Sequence, residues 1–148
     1  MNTFAPHFSY EELTFSDYAV RHGIDNMPPP DIEANLVTLS WWLEELRQYA
    51  VAPIIVTSGY RCEAVNQGIG GSESSAHMKG LAADIKCPKM TPLELAKLAA
   101  NSMTATGYDQ IIHEFERWVH CGLSATPRTE LLTATLIGDK TVYTKGLT

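Results

Sequence analysis

The sequence predicts an α+β fold on three observations: two Ser/Thr-x-x-Glu capping signals, one long apolar stripe at helical spacing, and short β-branched runs bounded by glycine and proline. At 148 residues the chain is within the usual size of one domain, about 100–150 residues. It reads as a single domain over 1–148, with an N-terminal helical extension over 1–30 packed on it and a tail over 129–148 whose role is open.

Ser9-Tyr10-Glu11-Glu12 is a capping box that predicts a short helix. A second helix is expected from Ser16 to Gly23, where a residue without a side chain suits a left-handed cap. Pro28-Pro29-Pro30 breaks any helix and predicts a stiff connector. Asp31 then caps a helix over about 31–49, whose Ile32, Leu36, Leu39, Leu43 and Leu46 recur at spacings of four and three. Trp41 and Trp42 lie beside that stripe and read as packing residues. Pro53-Ile54-Ile55-Val56-Thr57 is short and β-branched, the pattern of a buried strand.

Residues 58–76 are rich in glycine and serine, a long loop with one helical turn around 63–67, and loops of that length in a compact domain are usually functional. A strand follows over 81–86. Thr91-Pro92-Leu93-Glu94 is the second capping box, with proline at the first helical position, and opens a helix that ends near Gly107. Residues 108–115 and 118–123 form two strands of a hairpin, and the tail adds a strand around 133–137.

Composition excludes several functions. The net charge of −6 leaves no basic surplus to replace phosphate counterions, so nucleic acid is not expected as a partner. No apolar run reaches the roughly 18 residues that would span a bilayer, so no membrane insertion is expected. The start, Met-Asn-Thr-Phe-Ala-Pro-His, lacks the basic and apolar regions of a signal peptide, which predicts synthesis in the cytoplasm. Three widely spaced cysteines without Cys-x-x-Cys read as reduced thiols.

Chemistry concentrates in two stretches. His77 closes the Gly/Ser loop, and Asp84 follows seven residues later in a strand surrounded by Leu81, Ala82, Ala83 and Ile85. A buried carboxylate costs several kcal/mol unless paired or bound to a metal. His120 likewise stands alone in the apolar run Trp118-Val119-His120-Cys121. Two imidazoles and one carboxylate are a normal ligand set for catalytic zinc. Spacing alone leaves the other reading open, that these are hydrogen-bonded core residues.

Ser58-Gly59-Tyr60-Arg61, Asn66, Gly70-Gly71, Ser75-x-His77-x-x-Gly80-x-Ala82-x-Asp84 and Trp118-Val119-His120 together resemble the zinc D-Ala-D-Ala carboxypeptidase family, the M15 peptidases. The start of the chain, with Phe8-Ser9 and Gly23-Ile24-Asp25-Asn26, is similar to short phage and bacterial members, and the resemblance runs from about residue 6 to about residue 123. It implies a hedgehog/DD-peptidase fold, a small antiparallel sheet flanked by helices. It also implies one zinc ion held by His77, Asp84 and His120, with Arg61 by the substrate carbonyl or carboxylate and Ser75 lining the same pocket.

Hydrolysis needs a group that takes a proton from water and returns it to the leaving amine. Several family members carry an acid three residues before the last histidine, where this chain has Arg117. Hedgehog-type relatives place a glutamate six residues before it, the position of Glu114. Strand parity gives an independent reading. A three-residue loop Phe115-Glu116-Arg117 pairs Glu114 with Trp118 and sets Glu114 on the face of His120; a two-residue loop Glu116-Arg117 sets His113 there. Glu-Arg is a poor two-residue turn, which favours the longer loop and Glu114, with Glu116 as the fallback. His113 is then a polar residue of the other face, His7 and His22 are exposed, Asp109 and Glu63 are surface charges, and Tyr60 either bounds the pocket or packs.

The expected function is a zinc peptidase acting as a monomer on bacterial peptidoglycan peptide, a D-Ala-D-Ala carboxypeptidase or a stem-peptide endopeptidase. Such a chain suits a phage endolysin or a virion-borne part that acts at the cell wall. The alternative is a non-catalytic peptidoglycan-binding or interaction module that zinc only stabilises.

Overall fold

Side-chain capping marks where the first two helices begin. In the computed structural model, which describes residues 3–148, Ser9 caps α1 (Tyr10–Thr14) by accepting from the Glu12 amide at 3.1 Å. Met1 and Asn2, the start of the predicted extension, lie outside the described residues. Ser16 opens α2 (Asp17–His22), and Gly23 closes it at φ 62.

The long helix α3 (Pro30–Ala50) starts earlier than the sequence suggests. Pro30 is its first residue rather than the end of a connector, because a fixed φ and a missing N–H cost nothing at that position. Asp31 therefore lies within the first turn and makes no cap bond; its charge faces the positive end of the helix dipole instead. Leu36, Leu39, Leu43 and Leu46 are fully buried, as their spacing predicts. Trp42 is buried and Trp41 half-buried, and both border a cavity of about 460 Å³ beside Tyr108 and Leu123.

Among the described residues, six strands follow: β1 (Ile55–Ser58), β2 (Ala82–Lys86), β3 (Gln110–Glu114), β4 (Trp118–Gly122), β5 (Glu130–Ile137) and β6 (Lys140–Lys145). They form one sheet in the order β1-β2-β4-β3-β5-β6. The predicted buried strand β1 is instead an edge with alternating exposure, since it pairs only with β2. Between β1 and β2 lie α4 (Glu63–Gly68) and a 3-10 turn (Ala76–Lys79); α5 (Pro92–Ser102) opens with the complete Thr91–Glu94 capping box.

The sheet is antiparallel except where β5 runs parallel to β3. The segment after β4 passes the start of β3 and turns back. Asp109, which the sequence presents as an ordinary surface charge, anchors that turn: it accepts from the Arg128 backbone at 2.9 Å and from the guanidinium at 3.0 and 2.8 Å.

One face of the sheet carries the core. Ala83, Ile85, Ile111, Val119 and Cys121 are fully buried there in one cluster with Leu36, Leu43, Leu95 and Met103 of the helices. The other face borders an open cleft. No helix among the described residues is long and apolar enough to cross a membrane.

Candidate active site

Asp84 and His120 are direct partners in the β2–β4 ladder. Cross-strand partners leave a sheet on the same face, so the carboxylate and the imidazole stand side by side. Their neighbours Ala83, Ile85, Val119 and Cys121 alternate into the core. His77 arrives from the 3-10 turn, which Ser75 opens by accepting from the His77 amide at 3.2 Å. Gly80 ends that turn at φ 69. A side chain at Gly80 would press on the Ile32 carbonyl of α3, so glycine lets the turn seat against the long helix.

His77 Nε2 lies 3.2 Å from Asp84 Oδ1 and 3.2 Å from His120 Nδ1, and the last two atoms are 3.1 Å apart. A tetrahedral zinc ion with bonds of about 2.0–2.1 Å spaces its ligand atoms about 3.3–3.4 Å apart. The triangle matches that spacing to a few tenths of an ångström, and the donor set fits. The Gly59 carbonyl accepts from His77 Nδ1 at 2.8 Å, which fixes the proton there and leaves the Nε2 lone pair facing the other two ligand atoms. Burial pushes the His77 imidazole down, toward the neutral form a metal requires. Burial alone would raise the Asp84 carboxyl, but His77 and His120 hold it well below the usual carboxylate range.

Arg61 braces this group. Its Nη2 donates to Asp84 Oδ2 at 3.2 Å and its Nε to Ser58 Oγ at 3.1 Å. A bulge between Val56 and Ser58 brings Ser58 opposite Asp84 and aims its hydroxyl at the guanidinium. Arg61 thus supports the Asp84 carboxylate as well as lining the cleft.

Glu114 pairs with Trp118, the register expected of a three-residue loop. Its Oε1 accepts from Trp118 Nε1 at 3.1 Å and lies 4.0 Å from His120 Nδ1. Burial first, then the Asp84 charge, raise the Glu114 carboxyl above its ordinary range, against His120, the Trp118 bond and Arg61. The turn needs positive φ at Phe115 (56°) and Glu116 (58°). Glu116, the fallback, points out of this turn and is exposed. His113 is buried on the opposite face, where its Nδ1 donates to an oxygen of Thr148 at 2.9 Å. Tyr60 is buried, a packing residue.

These groups open into a cleft of about 820 Å³ that Ser75 also lines. Sequence reasoning missed part of its wall: Phe115, Asp109, Arg128, Thr141 and Tyr143. The period-two run Thr141-Val142-Tyr143-Thr144 was the available signal for the last pair. The three cysteines are free, and burial raises the Cys121 thiol, so it is inert.

Among known proteins, the family described as Peptidase M15 matches residues 6–122. No curated protein matches the chain.

Proposed function

We propose that this chain, which belongs to the peptidase M15 family, hydrolyses peptide bonds of bacterial peptidoglycan with one zinc ion held by His77, Asp84 and His120. The observation that carries the reading is the triangle of candidate ligand atoms with a half-buried glutamate 4.0 Å from one corner. When bound, zinc supplies a Lewis acid that polarises a carbonyl and acidifies water. Glu114 takes the proton of the attacking water on its carboxylate and returns it to the leaving amine. Trp118 holds one oxygen of that carboxylate and leaves the other for the transfer. Arg61 orients Asp84 through its hydrogen bond, and its remaining donors face the substrate carbonyl or carboxylate.

The cleft suits a peptide with both carboxylates and amines. Arg61, Lys79 and Arg128 alternate there with Asp109 and Glu114 among serines and aromatic rings. Both release of a terminal D-Ala and cleavage within the stem peptide fit this chemistry. The enzyme acts at the cell wall, as a phage endolysin or a virion-borne part. It works as a monomer, without nucleic acid.

The second reading, a zinc-stabilised binding module without turnover, is favoured by Arg117 standing where several relatives carry an acid. Amine release from purified murein separates the two. Zinc-loaded protein is expected to free new amino groups over time; folded, zinc-loaded protein that binds murein and frees none contradicts the enzymatic reading.

A further inference from the structure

The C-terminal hairpin lies beyond the family match, which ends at residue 122, yet it supplies part of the cleft. Register explains how. Trp118 pairs with Glu114, Glu114 with Ala134, and Ala134 with Tyr143. These four residues form one continuous row across β4, β3, β5 and β6, and partners in a row share a face. The row therefore runs from the indole that holds Glu114 to the phenol of Tyr143.

The residue between Glu114 and Tyr143 in this row is Ala134, small and itself buried. The small residue leaves room for the larger ring to lean toward the glutamate. Tyr143 borders the cleft together with Thr141, two residues away on the same face. It is 54% exposed, so the ring is neither core nor fully solvated. Partial burial and then the Glu114 charge raise its phenol, which stays protonated and able to donate.

We propose that Tyr143 is a substrate-contacting residue, its hydroxyl donating to a main-chain carbonyl of the bound peptide while its ring packs along the peptide beside Glu114. This inference rests on the peptidase reading for its substrate class. It adds that specificity comes partly from β6, a strand outside the matched region, and that Thr141 forms the neighbouring edge of the same wall.

The test uses the full chain, zinc-loaded, with a synthetic stem pentapeptide ending in D-Ala-D-Ala. Binding is measured calorimetrically in a Glu114→Gln background, and KM and kcat are measured with Glu114 present. Tyr143→Ala is expected to weaken binding and raise KM by roughly tenfold, the size of one hydrogen bond plus ring packing. Tyr143→Phe is expected to recover the ring's share, leaving a loss of about threefold. Zinc content and melting temperature should stay unchanged in both, and kcat should stay within about twofold.

Peptide that binds equally well to Tyr143→Ala overturns the inference and leaves the peptidase reading standing. Binding that weakens on Tyr143→Ala, in a protein without turnover, removes the peptidase reading and keeps Tyr143 as a peptide contact. Peptide that binds to neither protein overturns the inference.

Discussion

The indole of Trp118 donates to Glu114 Oε1 at 3.1 Å across the last rung of the β3–β4 hairpin. That bond holds a half-buried acid at the edge of the His77–Asp84–His120 triangle. With Glu114 as the proton carrier, Glu114→Gln should lower kcat by at least about 10²-fold with zinc content unchanged. Trp118→Phe should cost about 3–10-fold. The Trp118 bond favours the charged carboxylate, so losing it raises the Glu114 carboxyl further, and the acidic limb of kcat/KM should move to higher pH. An unmoved limb in Trp118→Phe would show that the pair is not catalytic.

His113 and His120 sit on opposite faces of neighbouring strands, and their variants should part company. His120→Ala should lose stoichiometric zinc in a metal titration. His113→Ala should keep it but lose about 2–3 kcal/mol of stability, because a buried hydrogen-bonded ring is removed. Retention of zinc by His120→Ala would remove that residue from the ligand set.

Gly59 joins backbone packing to the candidate metal site. Its carbonyl fixes the His77 tautomer, and a Cβ there would collide with the Leu13 carbonyl. Backbone on both sides leaves nothing flexible to give way. Gly59→Ala should therefore destabilise the fold by about 2 kcal/mol or more and weaken zinc binding by about 10–100-fold. Calorimetry of unfolding and competitive zinc titration measure the two effects separately.

Asp109 titrates with the fold. Its bonds to Arg128 hold its carboxyl below the ordinary value. A depressed carboxyl contributes stability that is present above the unfolded pKa of about 3.9 and is lost as pH falls through the lower folded value. Asp109→Asn should lower Tm at pH 7 by no more than about 4 °C, and the difference should shrink toward zero on acidification below about pH 3.9. A Tm difference that does not shrink at all as pH falls below about 3.9 would assign the effect to something other than this charge.

Much of this arrangement is legible in the chain because it depends on local rules. The period of two places Asp84 and His120 toward one face, and a three-residue loop sets the register that brings Glu114 beside His120. The turn itself, with positive φ at Phe115 and Glu116, is not what side-chain preference suggests; the Phe115 amide is instead held by the Ala134 carbonyl of β5 at 2.9 Å. What the sequence hides is non-local. The parallel pairing of β5 with β3 follows a turn at which Arg128 meets Asp109, and no local pattern announces it. The exposed edge of β1 is likewise decided by strand order and not by its own β-branched composition. Tyr143 reaches the cleft only through a row of four strands, beyond any short-range signal.

Mass spectrometry of purified murein after digestion tests the central claim most directly, comparing wild type with Glu114→Gln at equal zinc content. Wild type should yield fragments shortened by D-Ala or cut within the stem peptide, and Glu114→Gln should yield almost none. Intact murein after treatment with folded, zinc-loaded wild type, or equal fragmentation by the two proteins, would contradict a zinc peptidase with Glu114 as its proton carrier.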